Sequence, residues 1–191
     1  MREIVLDIET QNLIERGPGG MTKLKISFVG IYDYESRAYD GFFEQDLPRL
    51  WKVLEHSDRI IGYNTKGFDI PVMNGYYPGD LFKIGQLDMM EEVAKHTGFR
   101  LKLDDLAHAT LGSGKSGSGL DAVKYWQAGE LDKLRDYCLM DVKVTKELYE
   151  HGRTQGKVFY FDRFKNEKIE VPVNFMPPKI EKPAMNLSLG F

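Results

Sequence analysis

Four carboxylates and a tyrosine stand at spacings that concentrate charge. Asp7 and Glu9 lie two apart in the opening segment Arg2-Glu3-Ile4-Val5-Leu6-Asp7-Ile8-Glu9. On a strand, alternate side chains share a face, so both acids leave the side opposite Leu6 and Ile8. Two carboxylates in one small volume repel, and burying them without a counter-charge is costly, so positive charge is expected beside them. The alternative is that the strand ends early and water solvates both. Tyr137 and Asp141 are four apart within Glu130–Tyr149, a spacing that on a helix sets their Cβ atoms about 5–6 Å apart. Taken alone, they also read as a tyrosine at the core's rim beside a solvated aspartate. The third segment is Tyr63-Asn64-Thr65-Lys66-Gly67-Phe68-Asp69. An acid in a helix's first turn is favourable to the dipole without further purpose. An asparagine, an aromatic and an acid together at a strand-to-helix transition also fit the place where ligand-binding groups gather in α/β sheets.

The elements that must position these residues follow from hydrophobic periodicity. Ile4-Val5-Leu6 makes Arg2–Ile8 a buried strand, of the kind found at a sheet's centre. Lys25–Tyr34 and Arg37–Glu44 read as two further strands around a turn at Asp33–Ser36, giving a three-strand antiparallel meander. Asp46 is placed to cap a helix from about Leu47 to His56, and Arg59–Gly62 is a short strand. A helix starting near Gly67, a strand near Ile84–Leu87 and a helix over Met89–Thr97 come next. Leu103–Leu111 and Leu120–Gln127 are helical and flank the glycine- and serine-rich loop Gly112–Gly119, which carries Lys115. In Glu130–Tyr149 the residues Leu131, Leu134, Cys138, Val142, Thr145 and Leu148 recur at threes and fours and define an inward face. Strands followed by alternating helices and strands predict an α/β layered fold, a mixed sheet with helices against it. The chain then divides into a domain over residues 1–152, a small hairpin extension packed on it over 153–173, and a proline-containing tail over 174–191.

Composition narrows the class. A chain of 191 residues, 42% hydrophobic, can bury one ordinary core. Arg2, Glu3, Asp7 and Glu9 leave no apolar stretch for a signal peptide, and no segment approaches a membrane span. The single cysteine, Cys138, has no internal disulfide partner, which fits a reducing cytoplasm. The formal charge of −3 argues against a strongly basic nucleic-acid surface.

Together, Asp7-Ile8-Glu9-Thr10, Asn64-Thr65-Lys66-Gly67-Phe68-Asp69 and Tyr137-Cys138-Leu139-Met140-Asp141 resemble the three ordered motifs of the DEDD exonuclease superfamily. The Tyr-x-x-x-Asp spacing indicates its tyrosine subtype. That subtype includes the proofreading domains of family A and B DNA polymerases, and the chain most resembles stand-alone bacterial 3′-5′ exonucleases related to the family B domain. Leu103–Gly112 resembles the family's helix between the second and third motifs.

The resemblance implies a ribonuclease-H-like fold and a 3′-5′ exonuclease acting on single-stranded DNA ends, or on RNA by the same chemistry. It implies that Asp7, Glu9 and Asp141 hold one divalent cation, that Asp7 bridges to a second, and that Asp69 acts on the second through water. Four carboxylates suit Mg²⁺ or Mn²⁺ better than zinc, and two such ions move the formal total from −3 to +1. They support an in-line displacement at phosphorus. Tyr137 would orient the attacking water, since an unperturbed phenol with a pKa of about 10 is a poor base near neutrality. Asn64 and Phe68 would contact terminal nucleotides, with Phe68 offering either an aromatic surface or core packing. Thr10 and Leu13 would line the terminal base, and Lys115 would reach phosphates. A domain of the same fold that binds nucleic acid without cleaving it is the alternative from another class.

The chain ends in Asn186-Leu187-Ser188-Leu189-Gly190-Phe191. This resembles the Gln-x-x-Leu-x-Phe peptide by which bacterial replication proteins bind the sliding clamp, with asparagine in place of glutamine. A proline-bearing tether ending in two apolar anchors suits a hydrophobic groove. Packing of the tail on its own domain, or disorder, is the plainer expectation.

Overall fold

The computed structural model describes residues 1–15, 17, 19–112 and 119–178. Lys115 and Asn186–Phe191 lie outside the described residues. Five strands form the main sheet: β1 (Glu3–Thr10), β2 (Ile26–Asp33), β3 (Ala38–Phe43), β4 (Arg59–Gly62) and β5 (Gly85–Asp88), in the order β3-β2-β1-β4-β5. The first three form the antiparallel meander, while β4 and β5 add in parallel beyond β1. This is the α/β mixed sheet expected from the sequence. β1 is central, and it continues through Glu9 to Thr10 instead of stopping at Ile8, which removes the reading of Asp7 and Glu9 as solvated acids past a strand end.

Helices cover both faces: α1 (Leu47–Leu54), α2 (Asp69–Asn74), α3 (Met89–Thr97), α4 (Leu103–Leu111), α5 (Gly119–Gln127) and α6 (Leu131–Gln155). The even residues of β1, Ile4, Leu6 and Ile8, pack in one core with Leu47, Leu50 and Leu54 of α1 and Ile70 and Met73 of α2. Val5, on the odd face, packs with Ile61, Leu87 and the α6 residues Val142, Leu148 and Tyr149. A third cluster joins Phe28 of β2 to Ala122 of α5 and to Leu134 and Cys138 of α6. Thus the face that carries Asp7 and Glu9 is the face that α6 covers.

Several boundaries differ from the periodicity. α2 begins at Asp69 and ends at Asn74, because Gly75 and then Pro78 stop further helical growth. α6 runs on to Gln155, where Gly156 adopts a left-handed conformation with φ 68°. Asp46 stands at the N-cap position of α1 without making a side-chain cap bond. Its backbone is already helical at φ −94°, ψ −2°, whereas side-chain capping needs an extended N-cap residue.

After α6, β6 (Lys157–Asp162) and β7 (Glu167–Pro172) form an antiparallel hairpin. Val158, Val171, Val173 and Phe175 join the core beneath α6. The Arg59 guanidinium donates to Glu3 at 3.2 Å and to the Phe175 carbonyl at 3.1 Å. The Tyr149 hydroxyl donates to Glu3, 2.9 Å from each carboxylate oxygen. This buried ion pair ties the end of α6 and residue 175 to the base of β1 and β4. Its charges are satisfied by several partners, which is the condition under which a buried pair is tolerated.

Candidate active site

β4 pairs with β1 only from Glu3 to Val5, so the far half of β1 has no strand on that side. Asp69, the first residue of α2, takes the place of the absent ladder: its carboxylate accepts the Ile8 backbone N–H at 3.1 Å. Asp69 is 3% exposed. Burial raises its pKa from the ordinary carboxylate value to about 7, with Asp88 adding to the rise and the Ile8 N–H opposing it. A group in this setting is costly to ionise until a cation is near.

The turn before Asp69 is shaped by Asp88, at the end of β5. Its carboxylate accepts from the N–H groups of Asn64 and Lys66 at 2.9 and 3.1 Å, and also from Met90 and Glu91 at the start of α3. Asn64 is held in the left-handed region at φ 65°, a conformation asparagine tolerates better than most side chains. Its carbonyl then accepts the N–H groups of Gly67 and Phe68. Asp88 was not among the residues expected at the site. The signal was present as Asp88-Met-Met-Glu91, the pattern of an acid N-cap followed by glutamate three residues on.

α6 supplies the opposing wall. β2 is crossed closely at Gly30, which pairs with Asp7; a Cβ there would stand 3.0 Å from Cys138 Sγ and from a methyl of Val142. The absence of that Cβ lets α6 settle against the sheet. Cys138 consequently reaches Asp7: its thiol lies 3.5 Å from the Asp7 carbonyl and 3.7 Å from its carboxylate. Ligand atoms of Asp7, Glu9 and Cys138 all lie within 4.8 Å of one another. Burial, and then the charges of Asp7, Glu9 and Asp141, push the Cys138 thiol well above its usual range. Its S–H is placed to donate to Asp7.

Asp141, about one turn beyond Cys138 on α6, is 3% exposed, and Tyr137, the residue before Cys138, is half-buried and edge-on to Tyr125 at 6.4 Å between centroids. A cavity of about 280 Å³ gathers these groups. Asp7, Glu9, Asp69, Tyr137 and Asp141 line it together with Thr10, Leu13, Asn64 and Phe68.

The family model described as RNase_H superfamily matches residues 4–152. The chain belongs to the RNase H superfamily. No curated protein matches it. Among solved structures, this RNase H superfamily member resembles the family B DNA polymerase from the hyperthermophilic archaeon Pyrobaculum calidifontis, with a TM-score of 0.61 and 20% identity. The match covers 79% of this chain and 24% of that one. The chain therefore spans about a quarter of the polymerase's length, and at this identity the likeness is one of fold.

Four residues that line the cavity of this superfamily member, Ile8, Ile14, Tyr63 and Gly119, were not among the expected site residues. Tyr63 lines the site while its hydroxyl donates to the Leu101 carbonyl at 2.8 Å. Ile14 stands 55% exposed beside Leu13, at 52%, an apolar lip that no periodicity reveals because it lies in a loop. Phe68 packs on the first core and lines the cavity as well, so the two readings of that residue are compatible. The Thr10 hydroxyl donates to the Asn12 carbonyl at 2.8 Å, which fixes the turn leaving β1. No helix among the described residues is long and apolar enough to cross a membrane.

The donor set fits hard divalent cations. Carboxylate oxygens dominate among the donors lining the cavity, and acids from β1, α2 and α6 face one small volume.

Proposed function

We propose that this chain is a divalent-metal-dependent 3′-to-5′ exonuclease that releases nucleoside 5′-monophosphates from single-stranded nucleic acid, with DNA as its substrate. One observation carries the reading: Asp7 and Glu9 of β1, Asp69 of α2, and Tyr137 and Asp141 of α6 share one cavity with an aromatic and an apolar lip. Membership of the RNase H superfamily supports phosphodiester hydrolysis, and the fold shared with a DNA polymerase agrees with a nucleic-acid substrate.

In this reading Asp7, Glu9, Asp141 and Asp69 would hold the divalent cations. Divalent cations, when bound, supply Lewis-acid stabilisation of charge on the attacking and leaving oxygens of an in-line displacement. The protein's own groups do the positioning. Phe68 and Leu13 flank the terminal base, and Asn64 meets the terminal nucleotide at the strand-to-helix turn. The Tyr137 hydroxyl orients the attacking water. Cys138, by donating to Asp7, holds that carboxylate in one orientation, the part an outer partner plays for metal ligands generally.

The test is incubation with 5′-labelled single-stranded DNA and RNA in Mg²⁺, Mn²⁺ or EDTA, beside Asp7→Ala and Asp141→Ala. A metal-dependent ladder shortening from the 3′ end, lost in both variants, is the expected result. Preferential shortening of RNA would make the chain an exoribonuclease. Binding without cleavage by the wild type under any metal would replace the proposal with a non-catalytic binding domain.

A further inference from the structure

The turn that leaves β1 serves two concavities. Thr10 and Leu13 line the acidic cavity, while Gln11 and Asn12 line a second groove of about 620 Å³ with Lys23, Lys25, Trp126 and Gln127. α5 joins them from the other side, with Gly119 at the cavity and Trp126 and Gln127 at the groove. At the helical rise, those two ends of α5 are about 10 Å apart, or about three stacked nucleotides at roughly 3.4 Å each.

The groove's lining holds no acid. Lys23 is 61% exposed and pairs with Glu15, whereas Lys25 is exposed and takes part in no ion pair among the described residues. Trp126 is partly buried against the third core cluster, so its ring is held rigidly while still forming part of the groove wall. Gln11 and Asn12 are fixed too, by bonds to the Ile26 and Lys23 carbonyls. A preset aromatic with ammonium groups beside it is the arrangement that receives a single strand, bases stacking and phosphates facing the cations. The groove under the hairpin mixes Asp104 and Asp105 with His108, Arg163 and Lys168, and Arg163 lies 3.8 Å from Asp105.

We propose that the Trp126–Lys25 groove binds the single-stranded nucleic acid some three nucleotides to the 5′ side of the end that enters the acidic cavity, with Trp126 stacking on a base and Lys25 and Lys23 on phosphates. The direction of the strand rests on the exonuclease reading; the groove's affinity for a single strand does not.

Tryptophan fluorescence tests this directly, because the chain has two tryptophans and the other, Trp51, lies in the first core. Titration with a thymidine octanucleotide in EDTA, where no turnover occurs, should quench the Trp126 signal to saturation. Trp126→Leu should weaken octamer binding about tenfold, and Trp126→Phe, which keeps an aromatic face, should restore most of it. Lys25→Glu, a surface change, should lower the slope of log affinity against log salt by about 0.7. With Mg²⁺, the preference of the wild type for an octamer over a trimer should shrink in Trp126→Leu and Lys25→Glu. Absence of quenching, together with a wild-type length preference in both variants, would overturn the groove while leaving exonuclease activity standing. Quenching without cleavage of either length would uphold the groove and remove the exonuclease.

Discussion

The Asp69 carboxylate accepts the backbone N–H of Ile8 at 3.1 Å, across 61 residues of chain. One side chain thus completes the sheet where β4 runs out and places an acid beside Asp7 and Glu9. Its structural and chemical parts are separable. Asp69→Asn keeps an acceptor for Ile8 and removes the buried charge, so its metal-free melting temperature should match or exceed the wild type's. Asp69→Ala leaves a buried N–H without its acceptor and should cost about 1–3 kcal/mol. Both should lose cleavage. Thermal melts in EDTA beside activity assays in Mg²⁺ separate the two contributions.

Divalent cations should stabilise the protein as well as activate it. Binding to the folded state alone contributes about 2.7 kcal/mol at a hundredfold excess over Kd. Asp7→Asn relieves repulsion among carboxylates that lie within 4.8 Å through Glu9, so its melt in EDTA should equal or exceed that of the wild type. Its gain on adding Mg²⁺ or Mn²⁺ should largely vanish. Cleavage should fall by at least about a hundredfold, given several kcal/mol of charge stabilisation per metal site. An undiminished thermal response would exclude Asp7 as a ligand.

Gly30 and Cys138 should be coupled. Gly30→Ala sets a Cβ 3.0 Å from Cys138 Sγ and Val142, and such overpacking costs about 1–3 kcal/mol. It also shifts α6, carrying Tyr137 and Asp141 away from Asp7, so activity should fall further than stability. Removing the sulfur in Gly30→Ala/Cys138→Ala should recover part of both losses. Additive effects in the double-mutant cycle would show that the close approach does not set the site's geometry.

Tyr137→Phe removes only the hydroxyl and keeps the ring against Tyr125. If the hydroxyl orients water, kcat should drop about ten- to a hundredfold with KM little altered. A rise in KM with kcat preserved would assign Tyr137 to substrate binding.

Removing the charge of Glu3 should destabilise the fold without touching the cavity. Arg59 and Arg153 both reach that carboxylate, and the Arg59 side chain is 6% exposed. Glu3→Leu leaves Arg59 buried and unpaired, which should cost about 3–5 kcal/mol in a denaturant melt.

Much of this was legible in the chain. The apolar run Ile4-Val5-Leu6 marks β1, and its parity puts Asp7 and Glu9 on one face, the face α6 covers. The three-and-four spacing marks α6 and sets Asp141 and Tyr137 on the flank that meets the cavity. Less legible were the boundaries. α2 is shorter than its pattern because Gly75 and Pro78 override it, and Asp46 makes no side-chain cap because its backbone is already helical. Asp88 reads as an ordinary cap, yet in the fold it also holds the turn before Asp69.

The sequence by itself determined which residues share a face, because the periods of two and 3.6 are properties of the local backbone. Whether the faces meet was decided by the tertiary structure alone. The early end of β4 leaves room for Asp69 at Ile8, the bare Cα of Gly30 brings Cys138 to Asp7, and the Thr10–Leu13 turn divides cavity from groove. Each of these depends on register and close approach between segments far apart in the chain, and no local pattern encodes such distances.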